Sequence, residues 1–234
     1  MQLHYHGITH PGKIREANED AFFIDKRSQL FAVADGLGGL PDGAEASRRV
    51  VELLKATVAS RRTIDRVPLI KEINRIVSAE GAEAHPFIGI GTTLTLGQIV
   101  GDQLKIGHVG DSAAFHLHAG HLKKVTTDHT LEQEWISRLG EAGRTSMPEN
   151  YPHTLTRCIG QIDALEIDTV DVALAPGDRI LFCTDGVNKV LSEHEIQAIL
   201  ASDQAPEISC QSFIDAVNAK GGPDNITAIL IFVD

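Results

Sequence analysis

The order of apolar patterns along the chain predicts an α+β fold, with helices laid on the outside of two antiparallel β-sheets. Three observations carry this. The chain reads as strands, then two helices, then strands, then two helices and a final strand. Its central strands are separated by short turns such as Gly101-Asp102 and Gly110-Asp111-Ser112, a meander that implies antiparallel pairing. Each helical stretch carries one apolar stripe, and helices covering the outer faces of two sheets bury every such stripe.

Leu3–Ile8 alternates enough to be a strand, and Pro11-Gly12 turns the chain after it. Arg15 to Phe23 is polar first and apolar after, which puts Glu19 and Asp20 at the mouth of a second strand. Ser28-Gln29 turns the chain back into Phe31–Asp35, so both acidic mouths share one sheet end. Asp42-Gly-Ala-Glu45 has the form of a capping box. Ala46, Val50, Leu53, Leu54 and Thr57 then share a helical face, with an expected end near Arg61. Pro68 suits a first helical turn, followed by the stripe Leu69, Ile70, Ile73, Ile76 and Val77. Strands are expected over Thr92–Val100, Gln103–Val109, Ala114–Leu117 and Leu122–Thr126. From Asp128 to about Ile162 the pattern changes. Leu131–Leu139 reads as a short helix, and Gly140 to Pro152 has no clear period. This is an inserted, partly mobile segment, with Trp135 as its packing anchor. Ile167–Val172, a turn at Pro176-Gly177-Asp178 and Arg179–Cys183 restore strand pattern. Ser192-Glu-His-Glu195 is a second capping box, ahead of Ile196, Ile199 and Leu200. Phe213, Ile214 and Val217 mark a last helix, which Gly221-Gly222-Pro223 breaks before the strand Ile226–Val233.

At 234 residues, one domain spanning 1–234 is the default. The apolar fraction of 42% is that of a soluble globular protein. A net charge of −11 argues against a nucleic-acid partner, because phosphate backbones need clustered Lys and Arg. No apolar run approaches the roughly 20 residues that span a bilayer. Met1 to His10 lacks a basic apolar signal segment. The expectation is a cytoplasmic protein without a membrane partner. Cys158, Cys183 and Cys210 are odd in number and widely spaced, fitting neither a disulfide framework nor a zinc pattern. Cys183 lies inside an apolar run and is expected in the core. The eleven histidines form no ligand spacing.

The chemistry is concentrated where strands end. Phe31-Ala-Val-Ala-Asp35-Gly36-Leu37-Gly38-Gly39 is an apolar run closing on an aspartate and three glycines. A carboxylate at the tip of a buried strand is costly unless something positive meets it, and glycines let backbone approach that partner closely. The device recurs at Ile180–Gly186, which ends in Asp185-Gly186, and at Leu104–Asp111. Asp224-Asn225 stands just before the last apolar run. Four carboxylates at strand ends, far apart in sequence, point to one shared acidic site for hard divalent cations, which prefer oxygen ligands.

In order, Arg15…Asn18-Glu19-Asp20, Ala34-Asp35-Gly36-Leu37-Gly38-Gly39, Gly91-Thr92-Thr93, Val109-Gly110-Asp111-Ser112, Asp128-His129, Thr184-Asp185-Gly186 and Asp224-Asn225 resemble the metal-dependent protein phosphatases of type 2C, the PPM family. The chain is similar to the short, single-domain bacterial members, from about Leu3 to Asp234. The resemblance implies a four-layer α/β/β/α sandwich and two cations, Mn²⁺ or Mg²⁺. It implies that Asp35 bridges them with the Gly36 carbonyl as a further ligand, that Asp185 and Asp224 hold the first, and that Glu19 and Asp20 support the second. Asp111, with Asp185, resembles the pair that holds a third, weaker metal. Arg15 matches the arginine that grips substrate phosphate, and about 130–161 matches the flap beside the site. The implied reaction is in-line attack of a metal-bridging hydroxide on phosphoserine or phosphothreonine, without a covalent enzyme intermediate. The implied partners are phosphorylated proteins, substrates of a Ser/Thr kinase in bacterial signal transduction, and the expected state is a monomer. Leu37, Leu40 and Ala113 depart from the family pattern, Ala113 standing where arginine is usual. Two other functions fit parts of the pattern: a non-catalytic module that reads phosphoproteins, and a two-metal hydrolase of another phosphoester such as a nuclease.

Overall fold

The computed structural model describes residues 1–40, 42–60 and 63–234. The strands are β1 (Leu3–His10), β2 (Asp20–Asp25), β3 (Leu30–Asp35), β4 (Leu94–Val100), β5 (Gln103–Val109), β6 (Ala113–His118), β7 (His121–Lys124), β8 (Asp168–Ala173), β9 (Arg179–Cys183) and β10 (Ile226–Val233). The helices are α1 (Gly43–Ser60), α2 (Arg66–Ala84), α3 (Leu131–Leu139), α4 (Asp185–Asn188), α5 (Glu193–Leu200) and α6 (Pro206–Ala219). Arg61, the expected end of the first helix, lies outside the described residues.

Among the described residues two five-stranded sheets form, in the orders β1-β10-β9-β6-β7 and β2-β3-β4-β5-β8, and every pairing between these strands is antiparallel. Alternate residues of β3, β9 and β10 enter different cores. In β10, Ala228 and Leu230 face Phe213, Ile214 and Val217 of α6, while Ile229 and Ile231 pack with Phe31 and Phe182 between the sheets. A third core lies under α1 and α2, where Val50, Leu54, Ile70 and Ile73 cover Ala32, Leu94 and Leu96. Three cores separate four layers, as the amphipathic stripes require. β10 is apolar throughout because it is buried on both faces. Cys183 is in the core, as expected.

The expected meander is corrected at one turn. β4 pairs with β5 and β6 pairs with β7, but β5 and β6 lie in different sheets. The chain changes sheet at Gly110-Asp111-Ser112, where Gly110 has φ 106°. A β-carbon there would lie 2.6 Å from Thr93 Cγ2, so glycine allows both the conformation and the approach. This crossing carries Asp111 to the gap between the sheets. A second correction concerns Asp42. It adopts φ 55°, and its carboxylate bonds His85 Nε2 at 2.6 Å. Only its carbonyl receives the Glu45 and Ala46 N–H groups. The Ser192–Glu195 capping box forms as expected. Thr92 and Thr93 precede β4 rather than belonging to it.

No helix among the described residues is long and apolar enough to cross a membrane. One group of histidines comes together with a carboxylate in the fold. His116 Nε2 and His118 Nδ1 lie 2.7 and 2.6 Å from the two oxygens of buried Asp178, at the end of β6 remote from Asp111. Asp178 also accepts the Ala175 N–H at 3.0 Å. At these distances the group is a hydrogen-bonded tie between β6 and the β8–β9 turn.

Candidate metal centre

Five strand ends drawn from both sheets meet at one edge of the sandwich. Asp20 opens β2 directly opposite Asp35, the last residue of β3. Asp111 follows β5, Asp185 follows β9 and Asp224 precedes β10. Arg15, Glu19, Asp35, Asp111, Asp185 and Asp224 line one open cavity of about 600 Å³, and Gly36 shares its wall. Asp20 is buried and stands outside that wall.

The local sequence explains the convergence. The Asp35 N–H donates to Thr93 Oγ1 at 2.9 Å, and its carbonyl accepts Thr92 Oγ1 at 2.8 Å and the Thr93 N–H at 2.9 Å. These contacts occupy the two threonines that the strand pattern assigned to β4. A β-carbon on Gly36 would lie 2.3 Å from the Gly43 carbonyl oxygen, and one on Gly186 would lie 1.9 Å from that of Asn225. Both Asp-Gly pairs therefore need glycine because backbone from another element passes against them. Asn225 holds the N-terminal loop in place. Its amide donates to the carbonyls of Pro11 and Ala17, and its oxygen accepts the Glu19 N–H at 2.8 Å. That clamp delivers Arg15 and Glu19 to the cavity. Arg15 Nη2 donates to Asp224 Oδ2 at 2.8 Å.

The carboxyl groups disturb one another. Burial, then Asp20, Asp185 and Asp111, hold the Asp35 carboxyl well above the ordinary range. Burial pushes Asp20 up to about 7, against hydrogen bonds from Thr227 and Thr184 and with help from Asp185 and Asp224. Asp111 rises to about 6 through burial and Asp185, with Lys189 opposing. Asp185 alone falls: burial raises it, but Lys189 and a hydrogen bond shared with Asp35 outweigh that. Such an excess of confined negative charge is what bound cations offset. Asp20 Oδ2 accepts both threonine hydroxyls, at 2.8 and 2.6 Å, whereas its Oδ1 is buried without a partner among the described residues. An orphaned buried oxygen within an all-oxygen donor set fits hard divalent cations.

Several residues at the site were not singled out by sequence reasoning. Lys189 Nζ donates to Asp111 Oδ2 at 2.6 Å, Asp185 Oδ2 at 2.9 Å and the Pro152 carbonyl at 3.2 Å. Burial lowers its pKa, but Asp185 and Asp111 together raise it further, so it stays charged. The i, i+4 spacing from Asp185 was the available signal. His153, Thr154, Leu155 and Cys158 bring the inserted segment to the cavity, where Leu37 and Leu40 also stand. Ala113 is fully buried in the core under α6. His129 is also buried, outside the cavity wall, and its Nδ1 accepts the Gly110 N–H at 3.1 Å. Ser112 is buried against Thr93 Oγ1 at 2.7 Å and offers no exposed nucleophile.

The four-layer sandwich is the fold of the PPM phosphatase structures. The chain belongs to the Protein phosphatase 2C family, which it matches over residues 13–214. It is 33% identical over 243 residues to the Serine/threonine phosphatase stp of Listeria welshimeri, across 98% of this chain and 95% of that relative. The S. agalactiae serine/threonine phosphatase superposes with a TM-score of 0.90 at 28% identity, covering 100% of both chains. The catalytic domain of the serine threonine protein phosphatase PstP, solved in complex with 2 manganese ions, superposes with a TM-score of 0.85 at 28% identity, covering 99% of each chain.

Proposed function

We propose that this chain is a metal-dependent protein phosphatase hydrolysing phosphoserine and phosphothreonine in proteins. The observation that carries this is the convergence of Asp35, Asp111, Asp185 and Asp224 from both sheets on one open cavity, with Arg15 at its wall. When bound, two divalent cations, Mn²⁺ or Mg²⁺, acidify a water to the attacking hydroxide and neutralise phosphate charge. Asp35, with the Gly36 carbonyl, would serve both cations, Asp185 and Asp224 would hold the first, and Glu19 and Asp20 would support the second. Arg15 uses one guanidinium nitrogen on Asp224, and its remaining donors, unbonded among the described residues, can hold phosphate oxygens. Asn225 and the Thr92–Thr93 pair keep these side chains in register. A third cation on Asp111 and Asp185 fits less well, because Lys189 already pairs with both.

The whole chain, 1–234, acts as one catalytic domain, with about 130–161 as the flap. Its partners are phosphoproteins made by a Ser/Thr kinase in a cytoplasmic signalling route, and it works as a monomer. Its acidic surface favours a peptide over an oligonucleotide as phosphoester. The direct test offers purified chain a phosphothreonine peptide and a single-stranded oligonucleotide, both with Mn²⁺. Phosphate release from the peptide alone supports the proposal. Cleavage of the oligonucleotide with an inert peptide overturns it in favour of a nuclease, and inactivity on both overturns it in favour of a binding module.

A further inference from the structure

We infer that Lys189 is this chain's own cation on the Asp111 side of the centre, standing in the position of the expected third divalent ion. The inference rests on the phosphatase reading and sharpens it: the centre takes two metal ions and one tethered ammonium.

An ammonium has three protons to donate, and Lys189 directs all three inward. Two go to Asp111 and Asp185, and the third goes to the Pro152 carbonyl in the inserted segment. This is not a solvated surface pair, since the Asp111 side chain is 7% exposed and those of Asp185 and Lys189 20% and 26%. A third divalent ion would have to share these two carboxylates with the ammonium, and two cations held by one carboxylate pair repel. The lysine has the advantage because it is covalently held. It originates at the end of α4, four residues after Asp185, on the same helical face. A tethered charge is not lost on dilution or to a chelator. Its bond to Pro152 also links the inserted segment to the carboxylates, a coupling that a free ion does not provide.

The test counts bound metal. Metal-depleted full-length chain is equilibrated with Mn²⁺ up to the millimolar range, and bound Mn²⁺ per chain is read by elemental analysis and by the electron paramagnetic resonance signal of free ion. The wild type is expected to saturate at two. Lys189→Met, checked by circular dichroism, is expected to saturate at three, and Lys189→Met with Asp111→Asn returns to two. Lys189→Arg, which keeps the charge, stays at two. A wild type that binds three overturns the inference without any variant. So does a folded Lys189→Met chain that stays at two; the phosphatase reading survives both results. A wild type that binds no Mn²⁺ overturns the phosphatase reading and the inference with it.

Discussion

Asp185 is where most of the centre's charge contacts meet. It shares a hydrogen bond with Asp35 and pairs with Lys189, and it begins the short helix that carries that lysine. Asp111 pairs with Lys189 and stands at the edge of the proposed ligand set. Asp185→Asn should therefore lower phosphopeptide turnover at least about tenfold further than Asp111→Asn, about 1.4 kcal/mol of additional barrier. Equal losses in steady-state assays of the two variants would contradict this division. Arg15→Ala should mainly raise KM. If its fork meets the phosphate in ground and transition states alike, kcat should change little. A fall in kcat alone would place the contact in the transition state. The raised carboxyls give a pH dependence of definite sign. Asp20, at about 7 in the metal-free fold against 3.8 ordinarily, keeps its proton through mildly acid pH. Its contribution to metal-free stability is full below about pH 4 and is lost as pH rises through about 7. A cation must displace that proton. Mn²⁺ affinity measured by calorimetry should weaken several-fold from pH 8 to pH 6, and equal affinities would argue that Asp20 does not take part.

Among the elements, the inserted segment borders the cavity from outside both sheets. Trp135 of α3 holds it together, donating to the Gly143 carbonyl at 3.0 Å and packing edge-on against Tyr151 with ring centroids 5.5 Å apart. None of the proposed ligands lies within it, although His153 and Leu155 reach the cavity. Replacing Gly143–Tyr151 with a short Gly-Ser linker should leave hydrolysis of a small aryl phosphate within roughly tenfold. Turnover of phosphothreonine peptides should change more, and unequally between sequences, since loops beside rigid sites carry recognition. Parallel loss on both substrates, with folding intact, would make the segment catalytic. The elements also show what local pattern reveals. Apolar runs ending in Asp35 and Asp185 were legible because burial and turn chemistry act within a few residues. The β5-to-β6 change of sheet was not, since Gly110 looks like any hairpin turn until Thr93 packs against it. Asp42 kept the letters of a capping box but spends its carboxylate on His85, forty-three residues away. Lys189 went unmarked because an i, i+4 pair with Asp185 looks like any helical pair until Asp111 and Pro152, from distant parts of the chain, meet it.

At the scale of the whole molecule, the two sheets are what make the site. Each sheet alone ends in carboxylates that solvent could neutralise. Stacked, with Phe31 and Phe182 filling the space between them, they bring the strand ends of both to one edge and bury part of that charge. The rigid sandwich fixes the geometry, and the cations offset the repulsion it creates. Metal should therefore be required for turnover and not merely improve it. The most direct measurement is phosphate release from a phosphothreonine peptide by metal-depleted chain, alone, with added Mn²⁺, and with Mn²⁺ followed by excess EDTA. Activity should be absent in the first, present in the second and abolished in the third. Full turnover by the depleted chain in excess EDTA would show that the carboxylates do their work without divalent cations, and would contradict the assignment of this centre.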